Sequence, residues 1–100
     1  MSKYRKKPVV VEAFQITKET RWDNSGWPEW LKEAWNYDKG QIGAVYPIPN
    51  SDNLIVLTLE GKMRLVIDGW IIQGVEGELY PCKPSIFAAT YEPVEENPNG

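Results

Sequence analysis

The chain has 100 residues, 42% of them hydrophobic and 25% charged, with 11 Lys and Arg against 14 Asp and Glu for a formal charge of −3. A chain of this size buries roughly two thirds of its unfolded surface, enough for one hydrophobic core and not for two domains. It has no histidine and one cysteine, which removes the commonest general base, most hydrolase triads, an internal disulfide and a thiolate zinc site.

A reducing, cytoplasmic setting without metal or cofactor is therefore the expectation. No apolar run approaches the roughly 18 to 20 residues that cross a bilayer. The basic start Lys3-Tyr4-Arg5-Lys6-Lys7 is followed by only three valines before Glu12, too little for a signal peptide. Asp23, Asp38, Asp52 and Asp68 stand beside Asn, Gly or Lys and read as turn-forming or solvating acids. No D-x-D-x-D loop and no phosphate-cradling G-x-x-x-x-G-K occurs.

Charge is unevenly spread. Lys3, Arg5, Lys6 and Lys7 place +4 in the first seven residues, so a net charge of −3 leaves −7 on the rest. Val9 to Ile16 is β-branched and predicts a strand, with Val10, Phe14 and Ile16 on one face and Val11 and Ala13 on the other. Asp23-Asn24-Ser25 offers helix-capping oxygens ahead of Pro28. Trp27, Trp30, Leu31, Ala34 and Trp35 then recur at i, i+3, i+4, i+7 and i+8, a short amphipathic helix with a tryptophan-rich face. Those tryptophans read as core, whereas Trp22 and Tyr37, with polar neighbours, read as surface.

Gly40 is a natural helix stop, and Gln41 to Tyr46 extends before Pro47 and Pro49, which argue for an edge strand. Asn53 to Leu59 and Lys62 to Ile67 flank Glu60-Gly61 as a hairpin. Asp68-Gly69 turns the chain into the strand Trp70-Ile71-Ile72-Gln73. Gly74 to Gly77 reverses it again, and Glu78-Leu79-Tyr80 returns. Pro81 and Pro84 bracket Cys82 and Lys83 in a stiff connection, after which a helical turn and a strand through Tyr91 are predicted.

The elements sum to a single α+β domain over residues 1–94: one short amphipathic helix packed on a curved, mainly antiparallel β-meander. Residues 1–7 form a basic segment and residues 95–100 a flexible acidic, proline-containing tail.

Two stretches carry a resemblance. They are Tyr4-Arg5-Lys6-Lys7-Pro8-Val9-Val10-Val11-Glu12-Ala13-Phe14-Gln15 and the run from Gly69-Trp70-Ile71-Ile72-Gln73 through Tyr80-Pro81-Cys82-Lys83-Pro84. Thr58-Leu59-Glu60-Gly61, Ile86-Phe87 and Thr90-Tyr91 continue it. The chain resembles a family of small, largely uncharacterised phage and prophage proteins with a P-G-D-Y/W-I-I-x-G-V-x-G-E-x-Y-P-C-K-P-like segment. Residues 18–53 match only in length and character, and Ile67-Asp68-Gly69 stands where the family shows Pro-Gly-Asp. The resemblance implies a phage or prophage origin and expression inside the infected cell; it implies no particular activity.

The first functional reading is a non-catalytic binding protein that engages a host, host-defence or phage protein. Five Trp and five Tyr exceed the needs of one small core and are the residue types of interface hot spots. The partner-binding candidates are Tyr80, Cys82 and Lys83. The second reading is nucleic-acid binding through Lys3, Tyr4, Arg5, Lys6 and Lys7, with Tyr4 placed to stack on a base; an acidic pI near 4.9 opposes it. The third, a small enzyme or ligand-binding module using Glu78, Tyr80, Cys82 and Lys83, lacks a base or metal for any standard mechanism. Self-association through strand edges is compatible with the first.

Overall fold

The computed structural model describes residues 2–5 and 8–94. Lys6 and Lys7 of the basic segment, and the predicted tail over residues 95–100, lie outside the described residues. The fold is mixed α+β, as the sequence predicts, but the meander divides into two three-stranded antiparallel sheets. One has the order β1 (Glu12–Gln15), β5 (Trp70–Gln73), β6 (Leu79–Cys82); the other has the order β2 (Val45–Pro47), β3 (Leu54–Thr58), β4 (Gly61–Leu65). The helices are α1 (Lys18–Trp22), a 3-10 turn (Asn24–Gly26), α2 (Glu29–Trp35) and α3 (Pro84–Thr90), so three α-helices replace the single one predicted.

The predicted strand from Val9 shortens to β1, with Val9 and Val10 52% and 72% exposed. The cause lies in its partner. Glu12 pairs with Gln73, the last residue of β5 before the turn at Gly74, so no backbone remains for Val9 to Val11 to pair with. At the other end, Ile16 N–H donates to Gly69 O at 2.9 Å and Asp68 N–H to Ile16 O at 2.6 Å. The turn into β5 is tight: Asp68 has φ 70°, and a Cβ on Gly69 would stand 2.8 Å from Val66 O. Glycine is required there by close backbone approach.

Thr17 caps α1 through a reciprocal capping box with Thr20. Asp23 accepts from Ser25 N–H and so caps the 3-10 turn rather than α2, whose own N-cap, Pro28, has no side-chain cap. The 54–65 hairpin forms, with Leu59-Glu60 at its tip and Gly61 opening β4 at φ 111°. Pro81 and Cys82 belong to β6, not to a connection; Pro81 is tolerated because β6 is an edge strand. The strand predicted through Tyr91 is replaced by α3. Phe87 and Tyr91, four apart, stack on each other at 5.0 Å, and Phe87 lies flat on Trp70 at 4.0 Å and 6°.

The core joins Ile16, Trp27, Leu31, Ala34, Val45, Leu54, Val56, Leu65, Ile71 and Leu79. Trp27 meets Trp35 edge to face at 5.3 Å and donates its indole N–H to Thr20 O at 2.6 Å, which docks α1 on α2. Arg21 is buried beside this pair, its guanidinium 4.2 Å from the Trp22 ring centre and 5.6 Å from that of Trp35, with Nε donating to Asp52 O at 3.1 Å. This one side chain ties α1 to the β2–β3 connection through a charged hydrogen bond and two aromatic faces. Arg21→Ala is expected to lower stability by about 2 kcal/mol. Arg21→Met, which keeps an apolar stem, should lose less. Urea denaturation checks both, and equal losses would show that the guanidinium adds nothing beyond packing.

Candidate binding cleft

A cleft of about 740 Å³ opens where the two sheets end beside α2. Three parts of the chain build it: α2 and its exit loop to Gly43, the β3–β4 hairpin tip, and the β5–β6 turn with the start of β6. Each wall follows from local sequence. The hairpin tip is held by Thr58, whose hydroxyl donates to Gly61 O at 3.0 Å and accepts from Glu60 N–H at 3.1 Å. The β5–β6 turn is held by Gly74 N–H to Glu78 O at 2.8 Å and Gly77 N–H to Gly74 O at 3.0 Å.

Glu78 folds back over this turn. Its carboxylate accepts from Glu76 N–H at 3.0 Å and occupies the space where a Cβ on Gly74 would stand. Glycine at 74 thus leaves room for a fixed carboxylate at the cleft wall.

Two features of the lining stand out chemically. Tyr37, Ile42, Leu59 and Met63 all line it and all remain exposed, Leu59 at 88%. Scattered exposed apolar residues are normal, and here four of them gather around one concavity. Glu33, Glu60, Glu76 and Glu78 also line it, and no lysine or arginine does. Among the described residues no three His, Cys, Asp or Glu side chains converge to hold a metal ion. The acids come from three separate segments, α2, the hairpin tip and the β5–β6 turn.

The sequence-derived site residues divide. Tyr80 lines the cleft between Leu79 and Pro81, but Cys82 and Lys83 do not. Strand alternation sends Tyr80 and Cys82 to the opposite face of the sheet from Leu79, with Trp70 and Ile72 as their cross-strand partners. There the Tyr80 hydroxyl makes a long contact of 3.4 Å with that of Tyr91. Burial, then the Tyr91 contact and the charges around it, raise the Tyr80 phenol above its ordinary value. Burial likewise raises the Cys82 thiol, the opposite of what a nucleophile needs. Lys83 is exposed at the N-cap of α3.

Of the basic segment, Lys3, Tyr4 and Arg5 are exposed, Tyr4 at 94%, with no regular secondary structure. Trp22 is exposed and Tyr37 sits on the cleft rim, as surface residues, while Trp27 is core. Trp30 serves two roles. It packs against the core and lines the cleft, and its indole N–H is the single side-chain polar atom among the described residues that is buried without a partner. Glu33, Glu60 and Glu76 and the rest of the apolar rim beside Glu78 and Tyr37 were not found from sequence, because the rim residues come from segments far apart in the chain.

Among the described residues no helix is long and apolar enough to cross a membrane. No family model matches the chain, and no curated protein and no solved structure matches it.

The raised phenol has a stability consequence. Above pH 10 the unfolded chain releases the Tyr80 proton and the folded chain retains it, so the unfolded state binds fewer protons and stability falls as pH rises. Tyr80→Phe is expected to flatten that alkaline loss relative to the wild type, read as denaturation midpoints from pH 8 to about 11.5. Parallel curves would show that Tyr80 ionises in the fold as it does in solution.

Proposed function

We propose that this protein acts by binding, without catalysis, and that its cleft receives a basic, partly apolar segment of a protein partner. One observation carries the reading: four carboxylates without a lining cation surround an apolar floor whose rim residues are exposed. Like charges gathered on one rim repel, and a cationic side chain seated among them removes that repulsion while its stem covers apolar surface. The chemistry suits lysine or arginine side chains spaced along an extended segment.

The resemblance over Tyr4 to Gln15 and Gly69 to Pro84 supports reading this binding in a phage or prophage context, with a host, host-defence or phage protein as partner. The host cytoplasm is the compartment that suits a single, unpaired Cys82. Of the three candidates only Tyr80 borders the cleft, with its ring on the opposite face of the sheet, and Cys82 and Lys83 do not line it.

The test is capture by the tagged protein from host lysate, with and without nuclease, at low and high salt. Glu60→Lys and Leu59→Asp are compared with the wild type after circular dichroism shows that both fold. A protein partner held by the wild type and lost by both variants supports the cleft. Both side chains are exposed and their removal creates no cavity, so folding should change by under about 0.5 kcal/mol. Capture that both variants retain would move the interface elsewhere. Recovery of nucleic acid alone, lost with salt, would replace this reading with one centred on Lys3, Tyr4 and Arg5.

A further inference from the structure

We infer that the cleft of one copy is filled by the basic N-terminal arm of a second copy, in a reciprocal dimer. The inference uses the same cleft as the function proposed above but names a different occupant, one already encoded in the chain.

Charge complementarity is the first argument. The arm carries Lys3, Arg5, Lys6 and Lys7, the cleft carries Glu33, Glu60, Glu76 and Glu78, and the arm contains no acid before Glu12. Tyr4, 94% exposed, is an amphipathic ring with no partner in its own fold, and the cleft offers an apolar floor with Trp30 and Leu57. The two surfaces lack what the other supplies.

The second argument is position. β1 begins at Glu12, opposite Gln73, and Gln73 lines the cleft. The arm therefore leaves the sheet two strand spacings, about 10 Å, from Leu79 on the cleft wall. A ten-residue arm, residues 2–11, can span at most roughly 33 Å.

The third argument selects the second copy over the arm's own body. To enter its own cleft the chain must bend sharply sideways, across the end of β5 toward β6, between the basic residues and β1. The run from Lys3 to Val11 has no Gly, Asn, Asp or Ser, and it ends in Pro8 and three valines. Proline holds the preceding residue extended, and β-branched residues resist turns. Ser2 to Arg5 are exposed and lie outside their own cleft. A stiff arm rooted at the rim of its own cleft points to a neighbour. Because each copy has one arm and one cleft, a two-fold exchange satisfies both and closes the assembly at a dimer.

Sedimentation equilibrium of the full chain over a range of concentrations tests this, at low salt and at about 0.5 M salt. Two variants are compared. The arm variant is Lys3→Glu with Arg5→Glu. The cleft variant is Glu33→Lys with Glu76→Lys, positions whose side chains hold no part of the fold; Glu78 is left intact because its carboxylate braces the turn.

The wild type is expected to dimerise at low salt, with dissociation at least about tenfold weaker at high salt. Each variant alone should be monomeric. Mixed together they should form a heterodimer, since the cleft variant's intact basic arm then meets the arm variant's intact acidic cleft, while the altered arm and the altered cleft, each brought to zero net charge, no longer oppose the second contact. A wild type that stays monomeric throughout, a dimer indifferent to either variant, or a mixture that fails to associate would each overturn the inference. Titrating the arm variant with a synthetic peptide of residues 2–11 reads the cleft separately: binding there with no wild-type dimer would retain a cleft for basic segments while removing the self-exchange.

Discussion

Ile71 and Ile72 are adjacent on β5 and both fully buried. Neighbouring strand residues point to opposite faces, so both faces of the β1-β5-β6 sheet must be covered. This constraint organises the rest. On the Ile71 face, Leu79 shares the core with α2 and with Leu54, Val56 and Leu65 of the second sheet. On the Ile72 face, Trp70, Tyr80 and Cys82 are roofed by α3 through the Trp70–Phe87–Tyr91 stack. A seven-residue helix with no fully buried residue of its own is too short to persist alone, and aromatic stacking on the sheet supplies what its length does not.

The same strand sets where the molecule stays open. β5 ends at Gln73, and three things happen at that level: β1 loses its partner, the chain turns through Gly74, and the two sheets present their turns side by side. The cleft is the space beyond the last core layer, where the hairpin tips overhang and no further element covers them. Its acids are not free to relax together. Glu78 is bound to the Glu76 amide over a glycine that leaves it room, so part of the negative field is built into the turn. Fixed charge of one sign near an apolar floor is unfavourable to the isolated fold.

How much of this was legible depended on whether a residue's fate is set locally. The Leu54 to Leu65 hairpin, β5 and the return to β6 followed from period-two patterning with turn residues between them. α2 followed from tryptophans at helical spacing. α1 did not, because its five residues carry no apolar period; its one signal is Thr17-x-x-Thr20, a capping box without the usual acid.

Val9 to Val11 have the composition of a strand and lack only a partner, which no local pattern can reveal. Ile86 to Tyr91 scans as helix or strand, and the choice was made by Trp70, sixteen residues before Ile86. The cleft was the least legible part. Glu33, Glu60, Glu76 and Glu78 each look like ordinary surface acids, and only the fold makes them one rim. Tyr37 and Tyr80 were singled out as aromatics and do reach it. Cys82 and Lys83 were chosen for adjacency to Tyr80, but strand alternation and the start of α3 carry them away.

The uneven charge along the chain acquires a physical meaning from this geometry. Opposite charges placed in one sequence usually meet within the fold, where even modest attraction opposes the cost of ordering long side chains. Here the described cations of the start, Lys3 and Arg5, are exposed and the carboxylates gather at the far side of β5. Pro8 and the valines stand between them as a stiff spacer. A flexible spacer would let the arm fold back and neutralise its own cleft. Stiffness in residues 8–11 therefore does for electrostatics what the pairing register does for the sheet. It limits which complementary surfaces can meet within one molecule.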